Sequence, residues 1–478
     1  MDRKKIILVL IFIVVFLLRL PSLFEPFTYG DEGVYVTLGQ AAKKGAIFYR
    51  DIHDNKPPLL YVLAAVSGDF ANFRLILFVW SFVTIFAFYK LASLLLPKHV
   101  ALLITGAFGI LSSIHTFEGN VANAENFMML PTIVAFYLIL ENKGLLFWAG
   151  ALLSLATLFK APAGFDFIAA LGLIVVLEGK MDLRVLVKKI VTISIGFVIP
   201  IALTLIYYSF FGALPAYLKA AFLQNIGYLS SWSGDKPKAF SLPIPLLTRA
   251  GMVFATWCVL FFLRKQLSSP TKVVIIWFAF ALFGALLSGR PYPHYLLQPI
   301  VPLTLSFGLL FIKSKVRIVP LLLLACFVFT FAFFKFWHYQ NVSYYQNFYA
   351  FSLKLKSRPE YFRYFGDETE NLYQTAIYLA THTDKNEKVF IWGNQPSIYA
   401  LAKRTPVGRY TVAYHIIDFN AYNETITALG KETPEFIVVT GEENRPFPDL
   451  EALIKSDYRQ AEQFGKIKVY LRLTAGKF

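Results

Sequence analysis

The chain opens Met1-Asp2-Arg3-Lys4-Lys5, runs apolar from Ile6 to about Leu23, and then reads Thr28-Tyr29-Gly30-Asp31-Glu32-Gly33-Val34-Tyr35. Three cations precede a stretch long enough to cross hydrocarbon, and two adjacent acids follow it. No small-residue cleavage site follows the apolar run, and many further apolar runs do, so it reads as a retained first helix and not as a signal peptide.

Working outward, the same pattern repeats. Apolar runs lie near Leu75–Leu96, Val100–Ile114, Phe127–Leu140, Leu145–Leu158, Phe165–Leu177, Ile190–Phe211, Leu247–Leu263, Val273–Ser288, Tyr295–Ile312 and Ile318–Phe336. With the first run this makes about eleven expected spans. Of the 478 residues, 56% are apolar and only 16% charged, which excludes an ordinary soluble enzyme and a disordered chain. The net charge of +16 is read as basic loops facing a membrane, and no nucleic-acid partner is expected. Arg3–Lys5, Lys98, Lys143, the Lys180–Lys189 group, Arg264–Lys272 and Lys313–Arg317 alternate so that all fall on one side. That side is expected to be cytoplasmic, with the N-terminus inside a plasma (cell inner) membrane. Cys258 and Cys326 sit in apolar runs and read as small hydrophobes, too few for a cysteine zinc site.

The chain divides by composition into a transmembrane part, 1–340, and an extracytoplasmic α/β part, 341–478. Trp337–Tyr349 suits an aromatic interface belt. Beyond it a helix is expected over Glu370–His382, with strands at Val389–Trp392, Phe436–Val439 and Ile467–Leu471 in a partly parallel sheet. No phosphate loop or dinucleotide fingerprint appears there.

The outer segment 25–58 carries the most chemistry. Asp31 and Glu32 precede an expected helix, Val34–Lys44, where acids also serve simply to favour a helix N-terminus. Farther on comes His53-Asp54-Asn55-Lys56-Pro57-Pro58-Leu59-Leu60-Tyr61. The two prolines stiffen the backbone and keep Lys56 out of helical geometry, so its cation stands on a fixed turn at the membrane face. A lipid phosphate is a natural partner for it. An ordinary interfacial lysine is the alternative.

These two elements together resemble the GT-C glycosyltransferases, in the branch that holds protein O-mannosyltransferases and lipid A aminoarabinose transferases. The resemblance implies a polytopic α-helical membrane fold with a C-terminal outer domain. It also implies Asp31, in the Asp31-Glu32 pair, as catalytic base and Lys56 as a contact to the donor phosphate. Many relatives have an acid immediately before that lysine; here Asn55 stands there, with Asp54 one step earlier. Glu125 is similar to an acid that enters the family's fourth span. Lys160 matches a cavity-facing lysine, and Ser288-Gly289-Arg290-Pro291-Tyr292-Pro293-His294-Tyr295 resembles an aromatic and basic segment ahead of a proline-containing helix. The plainer readings are a solvated loop end for Glu125, a snorkelling lysine for Lys160 and an interfacial cluster for Arg290 and its tyrosines.

The expected roles follow. Asp31 and Glu32 are catalytic; Lys56, Arg290 and Lys160 bind the donor phosphate; His53, Asp54, Glu118, Glu125, Tyr292, His294 and Tyr295 contact substrate. The expected reaction moves a hexose or pentose from a polyprenyl-phosphate-sugar donor to a lipid, glycan or protein acceptor, in a monomer held among membrane lipids. No cofactor is expected: the carboxylates with His53 or His294 supply hard ligands for a divalent metal, but no compact ligand motif gathers them. The alternatives are a transporter or flippase of lipid-linked sugars, or a ligase that moves a whole oligosaccharide. The acids lie in outer loops and the mid-span regions are nearly charge-free, which favours surface chemistry over passage.

Overall fold

The computed structural model describes residues 3–141, 143–178, 182–225, 245–312, 317–443 and 445–473. Lys180, Lys313 and Lys315, and residues 226–244 of the second long outer segment, fall outside them. The protein is an α-helical, polytopic membrane protein with a small C-terminal sheet. Among the described residues, five helices are long and apolar enough to cross a bilayer: Arg3–Leu23, Phe70–Leu95, Ala124–Glu141, Leu183–Phe210 and Leu246–Leu263. The other expected spans also fall on helices, but shorter ones, such as Lys98–Leu111, Leu146–Phe159, Ser269–Ala285 and Ile318–Phe333.

The chain forms two compact units. One comprises Met1–Ser22, Leu77–Ser209 and Ala221–Asn341; the other comprises Leu23–Ile76, Phe210–Ala220 and Val342–Phe478. The first unit is the helical bundle. Its core is packed by Phe88 stacked on Phe108 and Phe136 stacked on Trp277. Its outer helices show the reverse of a soluble pattern: only 11% of the apolar window of Leu183–Phe210 is buried. Leu203, Ile206 and Phe210 point outward, a surface that only lipid satisfies. Within the bundle, two glycines permit a backbone-to-backbone crossing. A side chain at Gly150 would strike the carbonyl of Ile193, and one at Gly196 would strike the carbonyl of Phe147. Small residues are the usual means by which membrane helices approach so closely.

The second unit contains the sheet. Its strands are β1 (Lys388–Trp392), β2 (Thr405–Pro406), β3 (Phe436–Val439), β4 (Tyr458–Phe464) and β5 (Ile467–Arg472), in the order β2-β1-β3-β5-β4. β1 runs parallel to β2 and β3, while β5 is antiparallel to β3 and β4. The sheet is mixed, as the sequence pattern implies. The period of two sorts β1 cleanly: Val389 and Ile391 pack with Leu372, Ala376 and Leu379 on one face, and Phe390 and Trp392 with Ile416, Leu429 and Phe447 on the other. The helix Thr369–His382 falls where expected. The polar hairpin strand β4 has no apolar pattern to reveal it; its middle residues are all exposed.

The outer segment belongs to this second unit. Its helix Gly30–Lys43 begins four residues earlier than the apolar pattern indicates, so that Asp31 and Glu32 form its first turn. The helix packs against two others. Gly33 lies on Ser397 of the helix Ser397–Ala402, and Gly39 lies on Ala64 and Ala65 of the helix Leu59–Ser67; a Cβ at either glycine would clash with backbone atoms. Thr37 donates to the carbonyl of Pro396 and Gln40 to those of Gly68 and Ala400.

Candidate active site

Asp31 and Glu32 are neighbours with different fates. Glu32 turns inward and is buried. Arg74, at the start of the Phe70–Leu95 helix, donates to its Oε2 from Nε at 2.8 Å and from Nη2 at 2.6 Å. Arg74 also donates to the carbonyls of Glu25 and Pro26 and lies over the Phe27 ring. Glu32 is therefore part of a buried ion pair that fixes the helix, and Arg74 is the partner that sequence reading missed.

Asp31 faces outward. Its side chain is 33% exposed and that of Lys56 is 21% exposed, with Lys56 Nζ at 3.4 Å from Asp31 Oδ2. The Tyr35 hydroxyl donates to the same oxygen at 2.9 Å, and Lys56 Nζ lies 4.9 Å from the centroid of the Tyr35 ring.

Two more buried tyrosines fix Lys56. Its amide donates to the Tyr61 hydroxyl at 2.9 Å, and its carbonyl accepts from the Tyr49 hydroxyl at 2.8 Å. Tyr61 in turn donates to Asp54 Oδ2 at 2.8 Å, an oxygen 4.0 Å from Lys56 Nζ. Tyr49 has φ of 72°, a left-handed backbone uncommon for a bulky residue and typically costing on the order of 1–3 kcal/mol. Pro57 and Pro58 are joined here by a hydrogen-bonded frame that the linear pattern does not show. Tyr35 and Tyr61 are held protonated, first by burial and then by Asp31 and Asp54 respectively.

Asp54 is buried, and its other oxygen lies 3.6 Å from Nε2 of His415, a residue of the short helix Ala413–Asp418 in the C-terminal region. His53 is buried against His415, Tyr410 and Phe419. Its amide donates to the carbonyl of Arg409. Burial pushes its imidazole down to about 2, helped by His415, Arg409 and Lys219. It is a neutral packing residue over the whole physiological range.

A second group lies within the helical bundle. Glu118 adopts φ of 53° after the turn His115–Phe117, and its carboxylate contacts Nδ1 of His294. Nε2 of His294 is 3.7 Å from Glu125, and Glu125 pairs with Lys160. Lys160 lies 3.8 Å from the centroid of the Tyr295 ring, and Tyr292 stacks on His294. Asn123 donates to the Glu118 carboxylate, and Asn126 donates to the carbonyls of Glu118 and Val121. Six of the expected residues thus form one chain of contacts. Arg290 is half-buried beside it in sequence, its amide accepted by Ser288 Oγ. Next to this group, Asp166 accepts from Trp277 Nε1 at 2.9 Å and from Gln298 Nε2 at 2.8 Å. This buried acid was also missed, although an aspartate inside the apolar run Phe165–Leu177 is itself a signal.

No protein-family profile matches the sequence, and no curated protein matches it. Solved structures do match. ArnT from Cupriavidus metallidurans bound to undecaprenyl phosphate is similar at 13% identity, with a TM-score of 0.59, over 98% of this chain and 99% of that one. The apo state of the same protein gives 11% identity and a TM-score of 0.53, over 98% and 97%. The oligosaccharyltransferase AglB from Archaeoglobus fulgidus, in complex with an inhibitory peptide and a dolichol-phosphate, gives 13% identity and a TM-score of 0.48 over 92% and 70%. Matching essentially the whole length of ArnT in both of its states, this chain has the GT-C fold.

Proposed function

We propose that this protein is a membrane glycosyltransferase that moves a sugar from a polyprenyl-phosphate carrier to an acceptor at the extracytoplasmic face. The observation that carries the reading is the partly exposed Asp31–Lys56 pair, held by buried tyrosines. The similarity to a protein solved with undecaprenyl phosphate supports the carrier.

A glycosyl phosphate has a good leaving group, so the enzyme must supply a base for the acceptor and a cation for the departing phosphate. Asp31 takes the proton of the acceptor hydroxyl or amine as its oxygen or nitrogen attacks the anomeric carbon. The carbon–oxygen bond to phosphate breaks, and the phosphate leaves toward Lys56. With Glu32 committed to Arg74, one carboxylate serves as base and none as nucleophile, which makes the reaction a single inverting displacement. In the ligand-free arrangement the two reacting groups neutralise each other. Arrival of the phosphate draws the ammonium away and leaves Asp31 to act as base. The N-terminus is assigned to the cytoplasm and the C-terminal domain to the outside.

Incubation with radiolabelled polyprenyl-phosphate monosaccharides in detergent tests the reading. Label appearing on an extracted lipid, glycan or protein supports it. Label remaining on every carrier, with an otherwise folded protein, refutes it. Mass spectrometry of surface glycans from a deletion strain identifies the sugar and acceptor.

A further inference from the structure

The helix Asn341–Ser352 shows the wrong amphipathicity for water. Tyr344, Asn347 and Phe348 are buried, so the inward face carries an amide and a phenol. Outward stand Val342, Tyr349 and, just past the helix, Leu353, spaced by seven and four residues and hence on one stripe. Val342 is 70% exposed, Leu353 69% and the following Leu355 75%. The turn that presents the leucines is ordered: Lys354 has φ of 60°, its amide donates to the carbonyl of Phe351, and the amides of Leu355 and Lys356 both donate to that of Ala350. Non-glycine residues seldom take this conformation, and here it sets Leu353 and Leu355 outward on either side of an exposed Lys354, with exposed Arg358 close behind.

Two contacts of the buried face tie this helix to the chain just after the first span. Phe348 packs on Phe24, with centroids 5.5 Å apart, and the Tyr344 hydroxyl bonds the Glu25 carboxylate. Phe24 and Glu25 are the first two residues after the Arg3–Leu23 span. The helix is thereby tied to the level at which the chain leaves the bilayer. We propose that the Asn341–Ser352 helix and its Leu353–Leu355 turn lie in the membrane interface, with the leucines in the acyl boundary and Lys354 and Arg358 among lipid phosphates.

The test is a depth measurement on the full chain in nanodiscs of equal parts phosphatidylcholine and phosphatidylglycerol. With Cys258 and Cys326 replaced by alanine, a nitroxide is placed at Leu355 or Val342, and at Ile377, an exposed apolar residue of Thr369–His382, as the aqueous reference. The expected result is several-fold lower collision with a water-soluble nickel chelate, and higher collision with oxygen, at 355 and 342 than at 377. Equal nickel access at all three positions overturns the proposal, as does strong spin–spin coupling between copies, which would make a second copy the cover. Hydroxyl-radical footprinting of the unsubstituted protein gives the same reading without labels: Tyr349, Leu353 and Leu355 protected relative to Ile377, or, against the proposal, equally oxidised. Depth is read without turnover, so its outcome is separate from that of the sugar-transfer assay.

Discussion

The ammonium of Lys56 lies 3.4 Å from the carboxylate of Asp31, although 25 residues separate them in the chain. One partner sits on the first turn of a helix and the other on a diproline turn. Tyrosine hydroxyls bonded to each of them hold carboxylate and ammonium together.

If Asp31 is the base, Asp31→Asn lowers turnover by about 10²–10⁴-fold, the usual worth of a positioned proton acceptor. Binding of the polyprenyl-phosphate donor persists. Residual turnover within a few-fold of the parent protein, at equal folding, removes Asp31 from the chemistry.

Lys56→Ala should weaken the donor interaction by roughly 10- to 100-fold, the loss of a charge-assisted contact of about 1.5–3 kcal/mol. The loss appears in KM for the donor as well as in kcat. Lys56→Arg keeps the charge and restores part of both. An unchanged KM for the donor with either variant contradicts the phosphate role.

Tyr61→Phe leaves both the Lys56 amide and the buried Asp54 carboxylate one partner short. The expected destabilisation is about 1–3 kcal/mol, with donor KM rising alongside. Tyr49→Phe removes a single bond to the Lys56 carbonyl and should cost less, about 0.5–1.5 kcal/mol. Thermal unfolding in detergent ranks the two; the reverse order would show that Tyr61 is not the centre of the frame.

Arg74→Met strands the buried Glu32 charge and should cost about 3–5 kcal/mol. Glu32→Gln combined with Arg74→Met should cost clearly less than the two single losses added together, because no charge is then left alone. Strict additivity in a double-mutant cycle would mean that the two residues do not depend on each other.

His53 gives the protein an acid-sensitive stability. Its folded value near 2 lies below the unfolded value of 6.5, so the unfolded chain binds the extra proton. The contribution is fully present above the unfolded value and is lost as pH falls from there toward 2, at up to about 1.4 kcal/mol per pH unit. His53→Gln should flatten the decline of unfolding temperature between pH 6 and pH 4. Since the imidazole is neutral throughout the working range, the pH profile of turnover should keep its shape in that variant.

Much of this was readable from the sequence because membrane helices and diproline turns are local. The apolar runs and the strands Val389–Trp392 and Phe436–Val439 follow from composition and period, while the roles expected of Asp31 and Lys56 come from the resemblance of their motifs. The partners did not. Arg74 looks like a cation flanking the span that starts at Leu75, and nothing near it in the chain names Glu32. Nothing local in the chain marks Tyr49 and Tyr61, yet each donates a hydroxyl at a distance fixed only by folding. His415 comes from the far end of the sequence. Asp166 carried a signal that went unread: an acid inside an apolar run demands donors, and Trp277 with Gln298 supplies them.

With its peptide gripped on both sides by phenols, Lys56 retains motion only in its aliphatic arm. The turn cannot swing out to fetch a distant carrier. If Lys56 is the phosphate-binding cation, a headgroup is delivered to it by lateral diffusion, and carrier supply in the bilayer, rather than a loop rearrangement, sets how often the site is filled.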